Sequence, residues 1–265
     1  MDNLKEEDIV FQKTYDCPVC YKEFKTLAVR AGKIYSRDMD EDLRPIYKSL
    51  DPLKYEAIVC PHCGYAALSR YFDQLMPMQI RYLRESVQSK YKELQYSTDK
   101  YSYDEAISRY KMVLISDEVE AAKNSRKAYT YLKLGWLIRS KLEHEGETLS
   151  EEIKEQLQKE EMENIENAYN KYVLAFSSET FPMSGMDELT LTVLVAELAY
   201  KVGKYDESLR TLSKVFENRT APRRVKDKAY YLKERIRSQQ KLQQRKEEAG
   251  QDTEQAENSE GGLTE

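Results

Sequence analysis

Cys60-Pro61-His62-Cys63-Gly64, read beside Cys17-Pro18-Val19-Cys20-Tyr21, decides how this chain folds: the two stretches hold all four of its cysteines. A C-x-x-C turn can place two thiolates on one ion at about 2.3 Å, with backbone N–H groups aimed at the first sulfur. Proline after the first cysteine stiffens each turn. Gly64 supplies the permissive backbone wanted just past the second cysteine, where the first turn has the less suited Tyr21. Two such knuckles complete a tetrahedral shell with no open position, the mark of a structural ion. The sequence therefore predicts one structural Zn2+ held by Cys17, Cys20, Cys60 and Cys63. His62, inside the second turn, is expected to point away. Residues 21–59 exceed the loop of an ordinary zinc ribbon, so further structure must lie between the knuckles.

The surrounding composition narrows the setting. With 40% hydrophobic and 34% charged residues in 265, the chain reads as a soluble protein of one or two domains. No stretch approaches the roughly 18 apolar residues of a membrane span. The acidic start MDNLKEEDIV is unlike a secretory signal, so a cytoplasmic protein is expected. In a reducing compartment, paired cysteines point to a metal or to redox exchange. The redox reading, a thiol oxidoreductase using one C-x-x-C, wants a thioredoxin-like βαβ setting that neither pair shows. Two histidines, one in a knuckle and one in a polar insert and neither placed to work with a catalytic nucleophile or acid, and no phosphate-cradling glycine loop give catalysis little support, so a non-enzymatic protein is expected.

Outward from the knuckles, residues 1–70 read as a small β-rich module, with strand-like runs at Leu27–Val29, Lys33–Tyr35 and Tyr55–Val59. The texture turns helical from Ala66, and helix dominates to about 246. Two segments, Tyr103-Asp104-Glu105-Ala106-Ile107 and Tyr205-Asp206-Glu207-Ser208-Leu209, each open an amphipathic helix with a tyrosine and an acidic first turn. Ala196, Ala199 and Gly203 precede the second as the first helix and turn of a hairpin. Tyr131-x2-Leu134-Gly135-x2-Ile138, with a partner helix through Ala168, Tyr172, Ala175 and Phe176, resembles the first-helix pattern of the tetratricopeptide repeat. That resemblance implies stacked helical hairpins, with glycine or alanine at the crossings. The expected fold is α+β, mostly α: the zinc-knuckle module followed by a tetratricopeptide-like α-α superhelical domain over 71–246.

Four further segments are read by charge. The polar insert near 143–163 is expected to project as a solvated extension, with His144 at the surface, and the acidic run Ser36–Asp42 to be a solvated loop. Arg223–Lys246 reads as a basic terminal helix whose Val225, Ala229, Leu232 and Ile236 cap the array. The acidic stretch 247–265 reads as a disordered tail.

CPVC, CPHCGYAA, the intervening SRDMD and YLKLGWL together resemble a bacterial family catalogued as domain of unknown function 2225, over roughly residues 10 to 240. The resemblance implies a cytoplasmic bacterial protein and supports zinc at all four cysteines. The function expected is a zinc-stabilised scaffold or adaptor that binds a protein or peptide partner through its helices. Arg126, Tyr129, Lys133 and Trp136 are its candidate partner face. The net charge of −5 speaks against a dedicated nucleic-acid binder, although helix 223–246 keeps that alternative open.

Overall fold

The computed structural model describes residues 6–47, 50–93 and 95–260. They form an α+β protein that is mostly α, in two compact units, Met1–Met186 and Asp187–Glu265.

The first unit starts with a single turn α1 (Glu6–Ile9) and three antiparallel hairpins: β1 (Val10–Asp16) with β2 (Glu23–Val29), β3 (Ser36–Met39) with β4 (Pro45–Tyr47), and β5 (Ala57–Val59) with β6 (Ala66–Leu68). Of the strand-like runs, Leu27–Val29 is the end of β2. Lys33–Tyr35 falls between a 3-10 turn and β3, and Tyr55–Val59 is strand only from Ala57. The helical texture read from Ala66 begins later than expected, because Ala66–Leu68 completes β6. Pro77 then opens α2 (Pro77–Ser86) at its first position, where the missing N–H costs nothing.

Next come α3 (Tyr103–Val119), α4 (Asn124–Glu145) and α5 (Glu151–Ser178). Ser102 caps α3 by accepting from the Glu105 N–H at 3.1 Å, and Glu105 Oε2 accepts from the Ser102 N–H at 2.9 Å. These reciprocal bonds explain why the helix starts at Tyr103. Gly135 lies where α4 meets α5; a Cβ there would sit 3.1 Å from Ile165 Cδ1, so the missing side chain permits the close approach.

The second unit is α6 (Glu188–Lys201), α7 (Tyr205–Glu217) and α8 (Arg223–Glu260). Gly203, at φ 77°, ends α6, and the Lys204 N–H reaches back to Ala199 O at 2.8 Å. Ser208 Oγ donates to Ala196 O at 2.7 Å, so the small residue of α7 packs directly on α6. Ala229, Leu232 and Ile236 of α8 are buried in this core, with Val225 packed beside them.

Several boundaries differ from expectation. The units divide after Met186 rather than near residue 70, because the knuckle core takes in Leu83 and Val87, with Val119 packed against it. The segment 143–163 does not project freely. It ends α4, turns through Gly146–Thr148 and becomes the first half of α5, with Leu157 buried and Glu161 bonded to Arg139 at 2.7 Å. α8 runs to Glu260, through most of the acidic stretch expected to be disordered. Its Gln, Glu and Ala residues are good helix formers, and no proline interrupts them. Residues 261–265 lie outside the described residues.

Candidate metal centre

Each knuckle is the tip of a hairpin. Register Asp16↔Glu23 places residues 17–22 at the end of β1–β2, and Val59↔Ala66 places residues 60–65 at the end of β5–β6. The two tips share one backbone pattern. The Tyr21 N–H donates to Cys17 O at 2.8 Å and the Cys17 N–H to Lys22 O at 3.1 Å; the Gly64 N–H donates to Cys60 O at 2.9 Å and the Cys60 N–H to Tyr65 O at 2.8 Å. Tyr21 and Gly64 both take left-handed φ, 61° and 74°. The turn thus demands that conformation of whichever residue follows the second cysteine.

The tips bring the four sulfurs together, all within 4.8 Å of one another, with Cys17–Cys63 at 3.6 Å and Cys20–Cys60 at 3.7 Å. Thiolates at about 2.3 Å from the centre of a tetrahedron are about 3.8 Å apart, so the cluster already has the dimensions of a four-thiolate site. A disulfide would need about 2.05 Å, and all four cysteines are free. Cys17, Cys60 and Cys63 are buried and Cys20 is half-buried. Phe24, Tyr65 and Phe72 wall the site, and Arg84 Nε donates to Val19 O at 2.7 Å. His62 is exposed, its Nε2 3.4 Å from Glu23 O, and takes no place in the sulfur shell.

The electrostatics also ask for a cation. Hydrogen bonds from Cys60 and Cys63 pull the Cys17 thiol down to about 2, while the hydrogen bond to Cys17 pushes Cys60 up to about 12 and Cys63 further still. One negative charge thus occupies the cluster and suppresses the next. Two thiolates this close repel by about 4 kcal/mol at an effective dielectric of 20. A dication lets all four ionise.

A family model described as "Uncharacterized protein conserved in bacteria (DUF2225)" matches residues 10–242, spanning both knuckles and α2 through α7. The chain belongs to this family. No curated protein and no solved structure matches it. The donor set of this DUF2225 protein, four sulfurs at tetrahedral spacing, fits a thiophilic dication.

Gly64 gives the centre a direct test in this DUF2225 chain. A Cβ there would stand 2.3 Å from Tyr91 Cδ2, on a left-handed backbone that alanine adopts at a cost. Gly64→Ala is expected to destabilise the first unit by about 2 kcal/mol in urea unfolding. Tyr91→Ala should recover the steric part, making the double variant less than additive.

Elsewhere the DUF2225 structure corrects the candidate partner face. Arg126 is ion-paired with Asp117 at 2.7 Å and with Glu120. Tyr129 is half-buried with Lys133 Nζ 4.6 Å from its ring centre. Lys133 is buried in an ion pair with Glu56, and Trp136 is only 4% exposed. Lys133 and Trp136 are spent inside the unit and Arg126 and Tyr129 are half-buried, because α4 is packed against α3, α5 and the 3-10 turn Pro52–Tyr55. His144 is exposed, as expected, with Nδ1 2.7 Å from Ser140 O and the ring stacked on Tyr103.

Two charged clusters escaped sequence reading. Asp40 and Asp42, expected in a solvated loop, bind Arg139 at 2.8 Å each; Asp40 also binds Arg44 at 2.7 Å, and Arg44 reaches Glu143 at 2.6 Å. Asp42 is 0% exposed. The second cluster is Asp117, Glu120 and Arg126. Burial, against the pull of Arg126 and with the push of Asp117, lifts Glu120 from 4.5 to about 7. The folded protein therefore holds a proton between about pH 4.5 and 7 that the unfolded chain releases, so stability falls as pH rises through that window and levels above it. From pH 5 to 8 this loss should be about 2 kcal/mol in urea unfolding, and Glu120→Gln should abolish most of it.

Proposed function

We propose that this protein is a non-enzymatic interaction protein, in which one Zn2+ staples the two N-terminal knuckles and the helices bind a protein or peptide partner. The observation that carries this reading is the closed shell: every corner of the sulfur tetrahedron is a cysteine, which leaves no corner for water or substrate. Zinc is the ion best suited to four thiolates in a tetrahedron. The redox alternative has weaker support, since among the described residues all strand pairs are antiparallel hairpins and no βαβ unit surrounds either C-x-x-C.

For the partner, the surface that replaces the α4 candidates is an open groove of about 450 Å3 along α3, α4 and α5, lined by Leu114, Leu134, Gln156, Asn164 and Asn167 with the charged Lys111, Lys159, Glu160 and Glu163 between them. Amide side chains above an apolar floor suit an extended peptide, whose backbone offers N–H and C=O groups in alternation. A photo-crosslinking residue at position 156 should capture one polypeptide in cells, and Asn167→Arg should abolish the product. Equal capture from a control position at Arg237, or capture unchanged by Asn167→Arg, would sink this reading.

One observation favours nucleic acid as a second reading. On α8, Tyr230 and Tyr231 are 56% and 57% exposed among exposed Arg223, Arg224, Arg237, Lys241 and Arg245. Aromatic rings among cations are what single strands stack on. Retention on RNA that falls steeply with salt and is lost in an Arg237→Glu, Lys241→Glu variant supports it; no retention at low salt removes it.

A further inference from the structure

Arg109 differs from the other buried cations. Arg44, Arg139, Lys127, Lys133 and Lys141 each meet a carboxylate. Arg109, at 1% exposure, has no carboxylate within 4.0 Å among the described residues. Three of its five donors are structural. Nε and Nη2 donate to Ala57 O at 3.0 and 2.7 Å, and Nη2 also donates to Thr26 Oγ1 at 3.0 Å, which ties β5 to β2. The rings of Tyr96 and Tyr101, 4.7 and 4.4 Å from Cζ, fix the guanidinium plane. Glu105, one turn back on α3, is engaged by Ser97 and Ser102.

The two donors on Nη1 have no hydrogen-bond partner among the described residues, and Arg109 lines a cavity of about 350 Å3. Thr26, Tyr96 and Tyr101 line it too, with Lys25, Gln12 and one carboxylate, Glu93, exposed at its rim. A guanidinium is always charged, and burial without a counter-charge is unfavourable; it already pulls the Arg109 pKa down. Its planar donors match the oxygens of carboxylate and phosphate. We propose that this cavity is an oxyanion-binding site, in which Nη1 of Arg109 holds the carboxylate or phosphate of a small organic anion and Lys25 adds a second positive charge. None of the four cysteines and no residue of the groove on α3 to α5 lines the cavity, although Pro61 of the second knuckle forms part of its wall.

The test titrates inorganic phosphate and, separately, succinate into the full metal-loaded chain at constant ionic strength, following the Nε–H resonance of Arg109 by NMR. The expected result is a saturable shift, with the tighter probe naming the group. Lys25→Glu, a change at an exposed residue that leaves the fold intact, should weaken that midpoint about tenfold. Arg109→Lys, followed at the backbone N–H of Thr26, which shows the same saturable shift in the parent, should remove it. No saturation with either probe, or an unchanged midpoint in Lys25→Glu, overturns the proposal. Because Lys25 is outside the core, a folding defect in the Arg109 variant leaves the decision intact.

Discussion

Cys60→Ser is expected to release the proposed zinc and unfold the knuckle core, with bound metal falling from the proposed one per chain to below about a tenth. The sulfurs are part of that core: Cys17, Cys60 and Cys63 are packed with Val19, Phe24, Ile58, Phe72, Leu83 and Val87, so helix α2 loses its support when the tetrahedron opens. Structural zinc contributes about 10–16 kcal/mol of apparent binding energy in small metal-folded peptides. Whole domains are stable by only about 5–15 kcal/mol. The loss therefore matches or exceeds the stability of the unit. Elemental analysis and calorimetry would report it together, while the helices of the second unit, with their own core of Val193, Ala196, Leu212, Val215 and Ala229, keep their transition. A variant that retains its zinc and melts within about 2 °C of the parent would remove the metal from the account.

Arg139→Leu is the second large effect, a loss of about 3–5 kcal/mol in urea unfolding. Arg139 bonds Asp40, Asp42 and Glu161 at 2.8, 2.8 and 2.7 Å, and Asp42 has no exposed surface. Removing the cation takes an ion pair away from a buried carboxylate, which costs far more than losing an exposed pair. Arg237→Ala, which breaks the exposed pair with Glu234, is the control and should change stability by less than about 0.5 kcal/mol. A loss for Arg139→Leu no larger than that control's would show that water reaches Asp42 in solution.

What the sequence made legible is local chemistry. The cysteine spacing and the following glycine describe a turn that closes on itself, so both knuckles could be read without knowing their surroundings. The same holds for the capped start of α3 at Tyr103 and for Gly135, whose missing side chain marks a crossing wherever the partner helix comes from. What stayed hidden depends on pairing across distance. Nothing in SRDMDED says that Asp42 will meet Arg139, and nothing in the α4 pattern says that Lys133 will meet Glu56. Charge patterning alone reads both as solvated, and the tetratricopeptide resemblance sent Arg126, Tyr129, Lys133 and Trp136 to an open face of a helix that packs against α3, α5 and the 3-10 turn Pro52–Tyr55. The Ala66 boundary failed for a related reason, because alanine and leucine serve a short buried strand as readily as a helix.

With the proposed zinc bound, the chain between the knuckles would be pinned twice, at its base by the four sulfurs and near its middle where Asp40 and Asp42 meet Arg139. Each attachment shortens the free loop that the other must close, so each lowers the entropy the other gives up. Ion and salt clasp are then reciprocal effectors. Metal affinity should weaken in Arg139→Leu although the substituted side chain belongs to no knuckle, and the clasp should loosen under a chelator that never touches it.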